Sequence, residues 1–238
     1  MVGRTLTTYP EVVRGFSAAA DGTMSLNGGV ANRRRYLGRH GLNPNRTVDA
    51  GLCHGAQVTI VTTAQAGQII EDTDGLVTTE AHLGLAMTAA DCLLVYAYDP
   101  RGQVIGLAHA GWRGLATDIL PRFIAQFQSL GSQSTDLVIT VGPSICMAHY
   151  QVDDHQALAE PAAAAKFRQY PQALQTIADK TFLDLRLVAR QQLLTAGVEA
   201  GQLTFDPRCT YEDHRLFSYR RDHPPTPQVQ VGYLMRRA

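Results

Sequence analysis

The middle of the chain carries two apolar runs separated by one short polar segment. The first, CLLVYAY (92–98), has almost no polar residue, which is typical of a strand covered on both faces. The next residues, DPRGQ (99–103), favour a turn, and VIGLAHAG (104–111) returns as a second apolar run. The pattern predicts a β-hairpin at the centre of the protein.

Strand-like and helix-like segments alternate along the rest of the chain. Helical spacing of apolar residues predicts helices over 117–130 and 183–198, and the composition of 155–167 predicts a third. Residues 216–237 are interpreted as a strand, a Pro-rich loop and a final strand. This mixture predicts an α/β protein with a mixed sheet.

The bulk composition excludes several classes of protein. The chain has 238 residues, 45% of them hydrophobic, enough to bury a core as one large domain or two small ones. Basic and acidic residues balance at 21 each, so we expect no nucleic acid and no membrane among its partners. No apolar run approaches the roughly 20 residues of a membrane span, and the N-terminus lacks the apolar core of a signal peptide.

The chain has four cysteines, widely spaced and without a CxxC motif: Cys53, Cys92, Cys146 and Cys209. In a chain without an export signal, such cysteines are expected to be free thiols or metal ligands rather than disulfides. Together with the composition, this predicts a soluble, cytoplasmic globular protein. The sequence gives no indication of the oligomeric state.

Three side chains are candidates for chemistry. The predicted hairpin places Cys92 beside His109, and His54 would arrive from an earlier strand. Two imidazoles and one thiolate suit a catalytic zinc site with a fourth position open. The same atoms also fit two other interpretations. One is a buried cysteine with a hydrogen-bonded core histidine, and the other is a Cys92 nucleophile with His109 as its base.

Several segments give the chain a resemblance to one family. CHGAQV (53–58), TAADCLLVYAYDP (88–100), IGLAHAGWRGL (105–115), VGPSI (141–145) and FSYRRD (217–222) follow SLN (25–27) and NRRR (32–35) in this order. In this set the chain resembles the laccase-domain family. Its members were long described as multicopper polyphenol oxidases and are now regarded as zinc-dependent purine nucleoside phosphorylases that also deaminate adenosine.

The resemblance implies a fold and a metal site. The fold is a single α/β domain over residues 1–238, with mixed β-sheets packed between helical layers, similar to the catalytic domain of bacterial cytotoxic necrotising factors. The family's metal ligands correspond to His54, Cys92 and His109. The implied cofactor is zinc, with copper as an alternative, and the implied substrates are phosphate and adenosine, inosine or methylthioadenosine.

Phosphorolysis needs a site for phosphate, and Arg113 in the Gly-Trp-Arg-Gly turn is the candidate. We expect Arg113 to bind phosphate and to act with Cys92 and His109 in catalysis; its alternative is a structural pair with a carboxylate. Asn27 is expected to contact the substrate, with turn stabilisation as its alternative. Asp91 is a candidate proton shuttle, although an Asp at a strand entry more often binds backbone groups.

Three other functions remain open at this point. They are a copper-dependent polyphenol oxidase, a thiol hydrolase that uses Cys92 and His109, and a non-enzymatic metal-binding module. The chain has only eight histidines and no His-x-His motif, which is too few histidines for a multicopper oxidase, so this function is disfavoured. The segment CMAHY (146–150) departs from the family's usual Gly-Pro-Cys-Cys-Tyr, as does Leu52 from its usual glutamine, which leaves the nucleoside preference open.

Overall fold

The structure is a computed structural model that describes residues 5–153 and 156–238. Within these ranges thirteen strands form: β1 (Val12–Phe16), β2 (Thr47–Gly51), β3 (Val58–Ile60), β4 (Ile69–Glu71), β5 (Gly75–Thr78), β6 (Gly84–Ala89), β7 (Leu93–Asp99), β8 (Val104–Ala110), β9 (Val138–Val141), β10 (Leu174–Ile177), β11 (Lys180–Leu183), β12 (Leu203–Phe205) and β13 (Gln230–Arg236).

Seven α-helices in the same described ranges connect and cover these strands: α1 (Val30–Arg39), α2 (Trp112–Ala116), α3 (Ile119–Ser129), α4 (Gln156–Ala159), α5 (Pro161–Phe167), α6 (Leu185–Thr195) and α7 (Tyr219–Asp222). In the part of the chain that the structure describes, no helix is long and apolar enough to cross a membrane.

The predicted central hairpin is confirmed. β7 and β8 pair antiparallel, with Leu94 opposite His109 and Asp99 opposite Val104, and every residue of both strands is buried. They form the middle of a six-stranded sheet with the order β12-β9-β7-β8-β5-β3. Parallel pairing of β3 with β5 and of β12 with β9 makes this sheet mixed.

A second sheet of five strands has the order β1-β13-β6-β2-β4. The late strand β13 lies between β1 and β6 and pairs antiparallel with both. β2 pairs parallel with both β6 and β4, so this sheet is mixed as well. A separate two-stranded ribbon is formed by β10 and β11.

The alternation of side chains along β7 explains how the layers stack. Leu94, Tyr96 and Tyr98 pack between the two sheets, together with residues of β6 and β13 such as Leu85 and Leu234. The intervening residues of β7 point to the opposite face and pack against α2, α3, α5 and α6: Leu93, Val95 and Ala97. A strand with an apolar residue at nearly every position is therefore required, because both of its faces are covered.

The outer face of the five-stranded sheet is covered by α1. Tyr36 and Leu37 of this helix pack against Ala86 of β6 and Val231 and Tyr233 of β13. The resulting order is helix, five-stranded sheet, six-stranded sheet, helices. This confirms the predicted α/β class with mixed sheets between helical layers.

Two expectations for local structure need correction. The helix predicted over 155–167 is interrupted at Pro161, which begins α5 after the end of α4; residue 155 lies outside the described residues. Proline cannot continue a helix because it lacks the N–H group that the interior needs. The strand predicted from residue 216 does not form: the Ser218 side chain accepts from the backbone N–H of Arg221 and begins α7.

The contact between the six-stranded sheet and α3 depends on Gly106 of β8. A Cβ atom at Gly106 would lie 2.7 Å from ring carbons of both Phe123 and Phe127, which are fully buried. We expect Gly106→Ala to lower the free energy of unfolding by about 1–3 kcal/mol, the usual effect of overpacking a core. The matched control is Gly38→Ala in α1, where a Cβ meets no atom within 4 Å.

Urea unfolding measures both variants. Gly38→Ala is expected to keep or raise the stability, by about 0.5–1 kcal/mol, because alanine favours a helix interior over glycine. Equal stability of Gly106→Ala and the unmodified protein would contradict this packing.

Candidate metal centre

Three side chains predicted as metal ligands lie together in the structure. His54 comes from the loop between β2 and β3, Cys92 from the bend before β7, and His109 from β8. One ligand atom of each lies within 4.8 Å of the others. The imidazole rings of His54 and His109 are 4.9 Å apart and perpendicular. His54 is exposed and His109 is buried, so the group extends from the interior to the surface.

A buried carboxylate, Asp74, positions both histidines. His109 Nδ1 lies 2.9 Å from Asp74 Oδ1 and donates to it, which leaves Nε2 as the ring nitrogen available to the centre. The backbone N–H of His54 donates to the same oxygen at 3.0 Å, and that of Gly55 donates to Oδ2 at 2.7 Å. A carboxylate behind a histidine is typical of metal centres, because it fixes the orientation of the ring.

The loop that carries His54 has a strained backbone. His54 has a φ of 60°, in the left-handed region that non-glycine residues rarely adopt. Such a conformation costs about 1–3 kcal/mol and persists where surrounding contacts hold it. The three hydrogen bonds from the backbone N–H groups of Cys53, His54 and Gly55 to Asp74 provide those contacts.

The charges within the centre shift the pKa values of its members. Burial alone raises the pKa of the Cys92 thiol, but the charge of His109 and hydrogen bonds from His109 and His54 outweigh it and lower that pKa. Burial lowers the pKa of His109, but Cys92 and Asp74 outweigh it and raise that pKa. In the absence of a metal, the centre therefore favours a thiolate beside an imidazolium.

Two glycines of the HAGWRG segment allow the chain to pass close to the centre. A Cβ at Gly111 would lie 2.9 Å from Cys92 Sγ, and one at Gly114 would lie 2.8 Å from the carbonyl oxygen of Gly55. Gly111 has a φ of −78°, which any residue adopts. Gly111 is therefore needed because a side chain at this position would collide with Cys92, and not because the backbone has an unusual conformation.

The two predicted substrate-binding residues differ in position. Arg113 is in the first turn of α2, next to the centre through Gly111, with its guanidinium 4.4 Å from the ring centroid of Trp112. It also lies 3.7 Å from Glu160, which is the carboxylate pair that its structural interpretation predicts. Asn27 is exposed in the turn before α1, the helix that covers the outer face of the five-stranded sheet.

Asp91 makes the backbone contact that its structural interpretation predicts. Asp91 Oδ2 accepts from the backbone N–H of Arg220 at 2.7 Å, and Oδ1 accepts from the hydroxyl of Thr210 at 2.5 Å. Asp91 is buried, with a φ of 83°. It therefore joins the bend that carries Cys92 to the segments around Thr210 and α7.

Sequence reasoning missed two groups near the centre. The sequence around Asp74 did not indicate a functional role, because an Asp-Gly pair before a strand is common in turns. The pairing of Asp74 with His109 becomes apparent only in the structure, where β5 and β8 are adjacent. Tyr150 was also missed. It is buried, and this burial and the charge of Cys92 raise the pKa of its hydroxyl; the Arg220 guanidinium lies 5.0 Å from its ring centroid.

Two stacked mixed sheets and a His–Cys–His group beside a Gly-Trp-Arg-Gly turn define a laccase-domain α/β protein. The chain belongs to the multi-copper polyphenol oxidoreductase laccase family, whose sequence model matches residues 27–232. The family resemblance predicted from the motifs is thus confirmed.

Relatives and solved structures agree with this assignment. A purine nucleoside phosphorylase of Corynebacterium glutamicum is 35% identical over 211 residues, which cover 88% of this chain and 82% of the relative. The crystal structure of YlmD from Geobacillus stearothermophilus matches with a TM-score of 0.87 and 29% identity, over 97% of this chain and 93% of that one. The Bacillus licheniformis protein YfiH matches with a TM-score of 0.86 and 28% identity, over 96% and 94%.

The shifted pKa values predict an order of thiol reactivity in metal-free protein. Cys92 should react with iodoacetamide at lower pH than an ordinary cysteine, because its thiolate is stabilised by His109 and His54. Cys53 should require higher pH, because its hydrogen bond to Asp74 raises the pKa of its thiol. Peptide mass spectrometry after labelling across a pH series measures both midpoints.

The variant His54→Ala provides the control for this order. It should move the midpoint of Cys92 labelling to higher pH and leave that of Cys53 in place. A Cys92 midpoint at or above that of an ordinary thiol would contradict the electrostatics described here.

Proposed function

We propose that this protein is a zinc-dependent purine nucleoside phosphorylase that also deaminates adenosine. Adenosine, inosine and methylthioadenosine are its expected nucleosides. The observation that carries the proposal is the convergence of His54, Cys92 and His109 in front of the buried Asp74. Similar proteins named purine nucleoside phosphorylase support the choice of reaction.

The donor set fits zinc. Two imidazoles and a thiolate are borderline and soft donors, and three protein ligands are typical of catalytic zinc sites, where one position stays open. Cys92 already favours the thiolate that a metal requires, and Asp74 holds the His109 ring in one orientation. A bound Zn²⁺ would supply a Lewis acid at this position.

In phosphorolysis, a phosphate oxygen forms a bond to C1′ of the ribose while the bond from C1′ to the purine nitrogen breaks. The purine leaves with a proton, and ribose 1-phosphate is the second product. We propose that Arg113 holds the phosphate, since it lies two residues after Gly111, where the chain passes Cys92, and its side chain is 43% exposed. Phosphate would replace Glu160 as the partner of Arg113.

In deamination, water adds to C6 of adenosine and ammonia leaves, which gives inosine. This reaction needs a group that moves a proton. Both carboxylate oxygens of Asp91 already accept hydrogen bonds from Thr210 and Arg220, so we assign Asp91 a role in positioning rather than in proton transfer. His54, which hydrogen-bonds to Cys92, and Tyr150, whose pKa is raised by burial and by the charge of Cys92, are the candidates for this step.

A second candidate function, a thiol hydrolase, is favoured by one specific observation. Cys92, His109 and Asp74 follow one another in hydrogen-bond contact, as a nucleophile, a base and its orienting carboxylate do in thiol hydrolases. The two functions require different states of the Cys92 thiolate, because a thiolate that binds a metal is not free to attack a substrate. Metal dependence therefore separates them.

Cys92→Ser tests the metal-dependent function. Relative to the unmodified protein, this variant should lose one zinc equivalent by elemental analysis. It should also lose release of adenine from adenosine and phosphate, together with release of ammonia from adenosine. The matched control is Cys53→Ser, which alters the neighbouring exposed thiol and should keep both the metal and the activities.

Other outcomes of this experiment would overturn the proposal. Hydrolysis that needs no metal and stops when Cys92 is alkylated would indicate a thiol hydrolase. Oxygen uptake with a phenol that increases with bound copper would indicate an oxidase.

Arg113 is tested by phosphate kinetics. Arg113→Ala should raise the KM for phosphate roughly 10- to 100-fold, because hydrogen bonds to charged groups contribute about 1.5–3 kcal/mol. Arg113→Lys should have an intermediate effect, since lysine keeps the charge but not the planar pair of donors. Arg122→Ala, at an exposed arginine of α3, is the control. An unchanged KM for phosphate in Arg113→Ala would exclude the assigned role.

A further inference from the structure

A second group of metal-binding side chains lies away from the three-donor centre. Its members are Cys146, His149, Cys209 and Glu212, and one ligand atom of each lies within 4.8 Å of the others. Cys146 and His149 belong to the loop after β9, and Cys209 and Glu212 belong to the segment after β12. The group therefore joins two segments that are more than fifty residues apart in the sequence.

Four of the six separations within this group are close to the edges of a small tetrahedron. His149 Nδ1 lies 3.2 Å from Cys146 Sγ, 3.8 Å from Cys209 Sγ and 3.4 Å from Glu212 Oε1. Cys146 Sγ lies 3.8 Å from Glu212 Oε1. Tetrahedral zinc with bonds of about 2.0–2.3 Å requires ligand-to-ligand separations of about 3.3–3.8 Å. These four separations are thus close to those that zinc needs, and the other two are no longer than 4.8 Å.

The types of donor narrow the choice of ion. Two sulfurs and an imidazole favour thiophilic cations such as Zn²⁺ over Mg²⁺ or Ca²⁺, which prefer oxygen ligands. Cys209 is buried, Cys146 is half-buried and Glu212 is exposed. The soft donors are thus at the protein side of the group, and the carboxylate is at its solvent side.

The backbone holds the two segments together around this group. The backbone N–H of Cys146 donates to Cys209 Sγ at 3.2 Å, as is expected of an amide beside a thiolate ligand. Ser144 and Cys209 form a parallel bridge, and the ring of His149 stacks on Tyr211 at 4.3 Å. The Arg186 guanidinium of α6 donates to carbonyl oxygens of both segments, those of Ser144 and Arg208.

We propose that Cys146, His149, Cys209 and Glu212 form a structural zinc site that joins these two segments. Four protein ligands complete a tetrahedron and leave no position for a substrate, which is typical of structural rather than catalytic zinc. The site connects to the three-donor centre through Thr210, which follows Cys209 and donates to Asp91 beside Cys92. It does not depend on the proposed nucleoside chemistry.

Zinc stoichiometry tests this proposal. After saturation with Zn²⁺ and gel filtration, the unmodified protein should hold two zinc ions per chain. Cys92→Ser should hold one, Cys146→Ser/Cys209→Ser should hold one, and the triple variant should hold none. His214→Ala, an exposed histidine two residues beyond Glu212, is the matched control and should hold two.

Cobalt provides a spectroscopic test that does not require Cys146 or Cys209 to be replaced. Cys92→Ser loaded with Co²⁺ should show thiolate-to-cobalt charge-transfer bands and the visible bands of tetrahedral cobalt, because Cys146 and Cys209 remain. Glu212→Gln, at an exposed position, should fold normally. In the Cys92→Ser background it should weaken Zn²⁺ binding by at least about tenfold, since even residues that only hydrogen-bond to a metal ligand contribute roughly 10- to 100-fold.

Three results would overturn the proposal. They are Cys92→Ser without bound zinc, a cobalt spectrum of this variant without thiolate bands, and a Cys146–Cys209 disulfide in peptides from protein isolated without reductant. These readouts are independent of activity. A protein that binds two zinc ions but lacks phosphorolysis would refute the proposed function and leave this site in place.

Discussion

The candidate metal centre depends on one buried carboxylate. Asp74 accepts hydrogen bonds from the His109 ring and from the backbone of the strained His54 loop, so it positions two of the three donors. Its burial raises its pKa, but the hydrogen bond and charge of His109, together with hydrogen bonds from Cys53 and Gly55, outweigh that and keep the pKa below its usual range. The charge of Asp74 is therefore retained inside the protein because these partners replace the water that it loses on folding.

Much of the architecture was predictable from local patterns, because nearly every position of β7 requires an apolar side chain. Both faces of this strand are covered, so an unbroken apolar run was required, and it predicted the hairpin that places Cys92 next to His109. Convergence of His54 on this hairpin followed only from the family resemblance. The structure brings these residues together, while their roles as ligands, like those of Arg113 and Asn27, remain proposals.

The remaining features could not be predicted because they depend on contacts between distant segments. The apolar residues before α7 suggested a strand, but Leu216 is buried by packing and Ser218 caps a helix whose first turn binds Asp91. The sequence separation between Asp74 and His109 does not reveal their contact, since His109 lies on a neighbouring strand. The Cys146 and Cys209 segments similarly meet through contacts that have no local signature, such as the bridge between Ser144 and Cys209.

The position of β13 has a consequence for how the protein assembles during synthesis. Residues 230–236 form the strand between β1 and β6. β1, in which Val13 pairs with Met235, therefore gains this neighbouring strand only after these late residues have been synthesised. Until that segment leaves the ribosome, β1 has no partner strand and one edge of β6 stays unpaired, and pairings this remote in sequence form slowly. The nascent chain would thus be most vulnerable to aggregation before this strand emerges.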